Sequence, residues 1–292
     1  MRLGILVEAE EGLEWDSWRR MYRLIERLGF ESVWISDHFQ SPWEKDRHGL
    51  DTWMALAVAA AETRRVQLGP LVSPIMFREP AVMARMAESL HDLTQGRFVL
   101  GLGLGWNAAE HREAAIGFPP VAQRRQRLLD GIELLRRILG ERRVPLLIGG
   151  GGPESTLPLV AHYADHWNMT TSSVDVYRAR SKRLEELCCA IGRDPRGIRR
   201  SVAVGYLIGR DSTELELRCG RMRQLVPPLS GATNVLDAAR AMGWVAGTPR
   251  EIVVQLRALA DAGVDLAILG HYDVEDEASL ELVADDVMPA LA

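Results

Sequence analysis

Short apolar runs alternate with amphipathic helical stretches from one end of this 292-residue chain to the other, with no linker, low-complexity tract or charge block between them. That alternation points to parallel strands, because each strand must return through a helix before the next can pair. The spacing predicts strands at Leu3–Val7, Ser32–Ile35, Val66–Val72, Phe98–Gly103, Pro145–Ile148, His166–Met169, Ile198–Ile208 and Leu266–Leu269. Helices are predicted over Trp15–Leu28, stopped by Gly29, over Thr52–Thr63, capped by Asp51, and over Pro80–Leu93, with proline in its first turn. Further helices are expected over Asn107–Leu139, broken at Gly117–Pro120, and over Glu154–Tyr163, Val174–Ile191, Thr248–Ala262 and Asp276–Leu291. Eight strand–helix repeats in this length predict one (β/α)8 TIM barrel covering residues 1–292. Asp211–Trp244 is too long for a connector and is mostly helical in pattern around Pro227-Pro228, so it is expected to be a lid-side helical insertion. A doubly wound open sheet is the alternative, but no G-x-G-x-x-G follows the first strand.

Composition narrows the function. A formal net charge of −5, with arginines scattered along helix faces, argues against a nucleic-acid surface. No apolar run approaches the ~18 residues that cross a bilayer. The strand-like start Leu3–Val7 does not read as a signal peptide, so a soluble cytoplasmic protein is expected. Cys188, Cys189 and Cys219 have neither metal-ligand spacing nor an even count for disulfides. His162 and His166 are four apart but straddle a helix-to-strand transition, so no metal site is expected and both read as structural.

In a barrel of this kind the reactive groups stand at the C-terminal ends of the strands. Those ends carry Glu8 and Glu10, Ser36-Asp37-His38, Leu71-Val72-Ser73, Gly105-Trp106-Asn107, Gly149–Gly152, Trp167-Asn168 and Gly270-His271-Tyr272. Arg97–Asn107 is a buried run entering glycines at 101, 103 and 105, which either pack the barrel or let a flat ligand approach the backbone. Gly149-Gly150-Gly151-Gly152-Pro153, ahead of the helix expected from Glu154, is a candidate phosphate site, with Ser155 and Thr156 as added donors; a flexible turn is its plainer reading. It has no Walker lysine, so nucleotide hydrolysis is not expected. His38 is the main acid–base candidate, since an imidazole titrates near working pH; bracing of the following loop by Asp37 and His38 is the other reading. His271 is a second, weaker acid–base candidate. Together the strand ends suggest a pocket for a large planar cofactor with a phosphate tail.

In this order the strand ends resemble the bacterial luciferase-like monooxygenase superfamily, and within it the branch that uses the deazaflavin coenzyme F420. The resemblance is carried by Ser32–Phe39 (S-V-W-I-S-D-H-F), Leu68–Pro80, Gly96–Glu110, Ile148–Pro153 with Tyr163-Ala164-Asp165, and Ala246-Gly247-Thr248-Pro249. It implies that His38 faces the substrate and moves a proton, and that Asp37 steadies the loop and contacts the cofactor headgroup. It implies a non-prolyl cis peptide at Leu71-Val72 beneath the ring, which nothing in those residue types reveals. Cofactor contacts are expected from Asp37, Leu71, Val72, Ser73, Gly105, Trp106, Asn107, Gly149, Gly150, Gly151, Gly152 and Pro153. Two departures stand out. Sugar-phosphate dehydrogenases of the family place a Glu where this chain has Trp106, which suggests an apolar substrate wall here. The link Gly140–Val144 is also shorter than in many relatives, which is expected to leave a pocket edge open or covered by another subunit.

The resemblance therefore implies hydride transfer between a small organic substrate and F420. An FMN-dependent monooxygenase using reduced flavin and oxygen is the enzymatic alternative, with a flavin or F420 reductase as a partner. A cofactor-binding protein without catalysis and a flavin-free phosphosugar barrel are the others. A homodimer is expected from the resemblance.

Overall fold

A computed structural model describes residues 1–44, 49–140, 143–171 and 173–292. It is a parallel barrel. Eight barrel staves are formed by β1 (Arg2–Val7), β2 (Ser32–Ile35), β3 and β4 (Gln67–Pro70 and Ser73–Pro74), β5 (Leu100–Gly103), β6 (Leu146–Gly149), β7 (His166–Thr170), β8 (Arg199–Ile208) and β10 (Leu266–His271). The hydrogen-bonded order is β3-β2-β1-β10-β8-β7-β6-β5-β4. The third stave is split: β3 pairs with β2, and β4 pairs with β5. The Leu68–Phe98 bridge then closes the cylinder.

Side chains alternate along every stave. Leu6, Trp34, Val99, Leu147, Leu266 and Ile268 fill the barrel interior, while Ile5, Val7, Val33, Ile35, Val202, Val204, Ala267 and Leu269 point outward into the layer shared with the helices. The helices end where their sequences dictate. The first, α1 (Trp15–Leu28), buries Trp18, Met21, Tyr22, Leu24 and Ile25 and stops at Gly29, whose φ of 87° suits a residue with no side chain. Asp51 caps α2 (Thr52–Glu62) by accepting from the Met54 N–H at 2.9 Å. Pro80 opens α3 (Pro80–Leu93). The break expected around Gly117–Pro120 separates α4 (Ala108–Glu113) from α5 (Val121–Leu139). The helix expected from Glu154 instead begins at Leu157: α6 is Leu157–Tyr163.

After α7 (Val174–Ala190), β8 runs into the excursion anticipated at Asp211–Trp244, which holds α8 (Ser212–Leu225), α9 (Pro227–Ser230) and α10 (Val235–Ala241). Leu207, Met222, Val226, Leu229, Val235 and Trp244 give it a small core of its own. The strand β9 (Val245–Gly247) lays its end against β8. Arg218 bonds Asp276 at 2.6 Å and Arg221 bonds Asp273 at 2.7 Å, tying the excursion to the segment after β10. The chain closes with α11 (Pro249–Asp261), α12 (Glu277–Leu282) and α13 (Met288–Leu291). Among the described residues no helix is long and apolar enough to cross a membrane.

Candidate active site

At the C-terminal ends of the staves lies a cavity of about 520 Å³. Its wall includes Glu8, Glu10 and Glu11 after β1, Ser36 and His38 after β2, and Leu71 and Val72 between β3 and β4. Gly103, Leu104, Gly105 and Trp106 follow from β5, Gly149 to Gly151 with Thr156 from β6, Asn168 and Thr170 from β7, Ala203 from β8 and Tyr272 from β10. The even positions of β1, β2 and β7 supply this lining, continuing the inward face of each stave.

His38 is held from behind. Its Nδ1 lies 2.9 Å from Glu110 Oε2, and the other oxygen of Glu110 accepts from the Phe39 N–H at 2.5 Å. Glu110 is 1% exposed, so both oxygens are spent on this one loop. A carboxylate on Nδ1 fixes the proton there and leaves Nε2 as the nitrogen that can act. Burial opposes charging of His38, but the Glu110 hydrogen bond and the fields of Glu10, Glu110 and Glu8 win and push its pKa up to about 9. Burial, reinforced by Glu10, pushes Glu8 up to about 8 despite the attraction of His38. Burial likewise raises Glu10, whose carboxylate accepts from the Ser36 hydroxyl. The His38 imidazole and the Glu8 and Glu10 carboxyls on the cavity wall are therefore all pushed toward their protonated forms.

Asp37, next in sequence to His38, serves the other side of the strand. It is buried, accepting from Ser73 Oγ at 2.5 Å, Arg78 Nη1 at 2.6 Å and Trp53 Nε1 at 3.3 Å. Asp37 and Ser73 thus lock the β2 end to the β4 end and stand behind the wall that His38 and Val72 present. Asn107, the third polar residue expected here, caps α4 by accepting from the N–H groups of Ala109 and Glu110 at 3.1 and 3.2 Å. That cap is what aims Glu110 at the barrel mouth.

The Leu71-Val72 peptide is cis. Val72 then occupies a notch cut by missing side chains: a Cβ on Gly103 would come within 2.5 Å of it, and one on Gly149 within 2.8 Å. A Cβ on Gly101 would strike the Pro70 carbonyl at 2.0 Å. So the space beside Gly101 and Gly103 is filled by the neighbouring stave, while Gly103 and Gly105, the latter at φ 74°, also border the cavity. In the β6 loop the Gly150 N–H is engaged by the Asn168 carbonyl at 2.8 Å. Gly151 and Thr156 border the cavity, with Gly152 and Pro153 one step behind. These glycines leave room for a flat group over Val72 and a polar tail toward Thr156, and in that sense the residues present fit a tricyclic cofactor.

Two expectations need correction. His271 does not reach the cavity. It sits on the outward face of β10, its Nδ1 2.7 Å from the Tyr206 hydroxyl, and burial pulls its pKa down to about 4. Gly140, Arg143 and Val144 of the short link lie by Leu100 and Leu146 at the starts of β5 and β6, the barrel end opposite the site. Glu141 and Arg142 themselves fall outside the described residues. His166 is structural as expected, 2.8 Å from Ser201 Oγ inside the barrel. No cluster of metal-binding side chains occurs among the described residues. Glu8 reads from sequence as a strand-end residue without a role, and Glu110 is given none. An Asn three residues before a Glu at a helix start is the capping pattern that signals where Glu110 stands.

Residues 1–266 match the luciferase-like monooxygenase family. The chain belongs to that family. As a luciferase-like protein it is an oxidoreductase. It is 30% identical to an F420-dependent glucose-6-phosphate dehydrogenase of Intrasporangium calvum, over 91% of this chain and 92% of the relative. It is 26% identical to an F420-dependent hydroxymycolic acid dehydrogenase of Mycobacterium tuberculosis, over 91% of this chain and 82% of that one. The luciferase-like barrel superposes with a TM-score of 0.83 on an F420-dependent secondary alcohol dehydrogenase solved in complex with an F420-acetone adduct, at 20% identity over 100% of this chain and 99% of that chain.

Proposed function

We propose that this luciferase-like protein is an F420-dependent oxidoreductase that interconverts a small alcohol and its carbonyl, with His38 as the proton-transfer group. The observation that carries the reading is the His38–Glu110 pair on the wall of a cavity whose far side is the glycine loop Gly149–Gly151. Leu71, Val72 and Gly105 would lie against the ring, and Thr156 and Gly151 would meet the tail. Bound there, the deazaflavin supplies a two-electron centre that takes or gives hydride. Nε2 of His38 takes the hydroxyl proton when the alcohol is oxidised and returns it when the carbonyl is reduced. Because Nδ1 is committed to Glu110, the ring cannot turn away during the transfer. Homodimerisation and service by a separate reductase are part of the same proposal.

The test is a titration of the protein with F420 and, separately, FMN, followed by tryptophan fluorescence. Micromolar quenching by F420 supports the reading. Preference for FMN together with oxygen uptake would replace it with a flavin monooxygenase, and binding of neither would end it. His38→Ala is expected to keep F420 binding while lowering turnover by about 100-fold or more; unchanged turnover removes His38 from the chemistry.

A further inference from the structure

Resting on that reading, we infer that the substrate is an uncharged molecule whose alcohol or carbonyl sits on an apolar ring or chain seated against Trp106, and that phosphorylated or carboxylated substrates are turned away. Trp106 is 65% exposed, whereas Trp18, Trp34, Trp53 and Trp167 are fully buried. It borders the cavity and touches His38 edge-on, ring centroids 5.7 Å apart at 72°. An indole face left in water beside a proton-transfer group is apolar surface awaiting cover, and a substrate is what reaches that spot. Phe39, next to His38 in sequence, is half exposed too and lies 4.5 Å from the Phe77 ring.

A second aromatic wall lines the same cavity. The Trp43 ring lies 6.2 Å from Tyr272, and Tyr272 stacks on Trp244 at 5.0 Å and 4°. Gly205 makes room for that stack, since a Cβ there would fall 2.3 Å from the Trp244 ring. Where β8 and β10 meet the cavity they thus present Ala203 and Tyr272, neither of them a counter-ion. Charge tells the same story. Glu8, Glu10 and Glu11 border the cavity, the described residues that line it include no Lys or Arg, and the His38 cation is already faced by Glu110. A substrate phosphate on the His38 and Trp106 side of the cavity, away from the Gly149–Gly151 loop, would meet no counter-ion among the described residues.

In the oxidising direction the carbinol C–H hydride, with its electron pair, would go to the bound deazaflavin, which is reduced, while the O–H proton passes to His38 Nε2 and the C=O bond forms. Reduction reverses each transfer.

The experiment uses F420-loaded protein at about pH 9, with 1-phenylethanol and glucose 6-phosphate as probes and loss of the oxidised-cofactor absorbance as readout. Wild type is expected to oxidise 1-phenylethanol with a kcat/KM at least about 100-fold above that for glucose 6-phosphate. Trp106→Ala should raise the KM for 1-phenylethanol about tenfold, with kcat nearly unchanged, and Trp106→Phe should recover most of the loss. F420 affinity, measured for each variant, should not move, because in this proposal Trp106 meets the substrate and not, as expected from sequence, the cofactor. Preference for glucose 6-phosphate, no turnover of 1-phenylethanol by protein that binds F420, an unmoved KM, or loss of F420 binding in Trp106→Ala would each overturn the assignment while leaving the F420 reading intact. Failure of wild type to bind F420 would overturn both.

Discussion

His38 is one residue with two jobs set by its two nitrogens. Nδ1 holds the loop through Glu110, and Nε2 is left for chemistry. With its pKa pushed up to about 9 the ring is charged at neutral pH, so it starts as a proton donor. Carbonyl reduction should then show kcat/KM that is flat at neutral pH and falls above about 9, while alcohol oxidation rises through the same region. Glu110→Gln keeps an acceptor on Nδ1 but removes the charge, so both limbs should move down by about one pH unit or more, with His38 still required. Profiles that coincide with wild type would mean that Glu110 only shapes the loop. Asp37 makes the contrast: one position away, it faces Ser73, Arg78 and Trp53 and holds the barrel rim.

At the scale of elements, the split third stave makes the site. Because β3 stops at Pro70 and β4 resumes at Ser73, Val72 is delivered into the notch of Gly103 and Gly149. Gly103→Ala should therefore cost about 1–3 kcal/mol in denaturant unfolding and weaken cofactor binding. The double variant Gly103→Ala with Val72→Ala should recover stability, because the added methyl takes vacated space; two additive losses would show that the notch is not what Gly103 serves. This is also where the sequence was half legible. Apolar runs and caps marked α1 and α3 to the residue, since those signals are local. The tenant of the glycine gap was not legible, because Val72 arrives from another stave. His271 failed for a related reason. Its place at a strand end was readable, but its outward direction followed only from the phase shared with Ala267 and Leu269.

For the whole molecule, the barrel holds groups that bind protons differently folded and unfolded. His38 keeps its proton up to about 9 in the fold but only to about 6.5 in an open chain, so its contribution is complete below the lower value and lost as pH rises through the higher. Glu8, raised to about 8, is neutral in the fold where the open chain already ionises, which also erodes stability as pH climbs from the ordinary carboxyl range to that value. Burial lowers His166 and His271 to about 3 and 4, so they act below about pH 6.5. The cofactor-free protein should accordingly lose roughly 5 °C or more of Tm between about pH 6.5 and 9, and His38→Ala should lose less. A Tm that holds steady across that interval would refute the assignment of these proton affinities. Fold class was readable throughout because eight repeats each carry the same period; the pairing of His38 with Glu110 was not, because 72 residues separate them. The Val72 notch also bears on how such a chain can drift over generations. Positions 72, 103 and 149 form one unit of inheritance: a bulkier neighbour at either glycine must wait for a smaller side chain at 72, so substitutions there should arrive in sets and in that order.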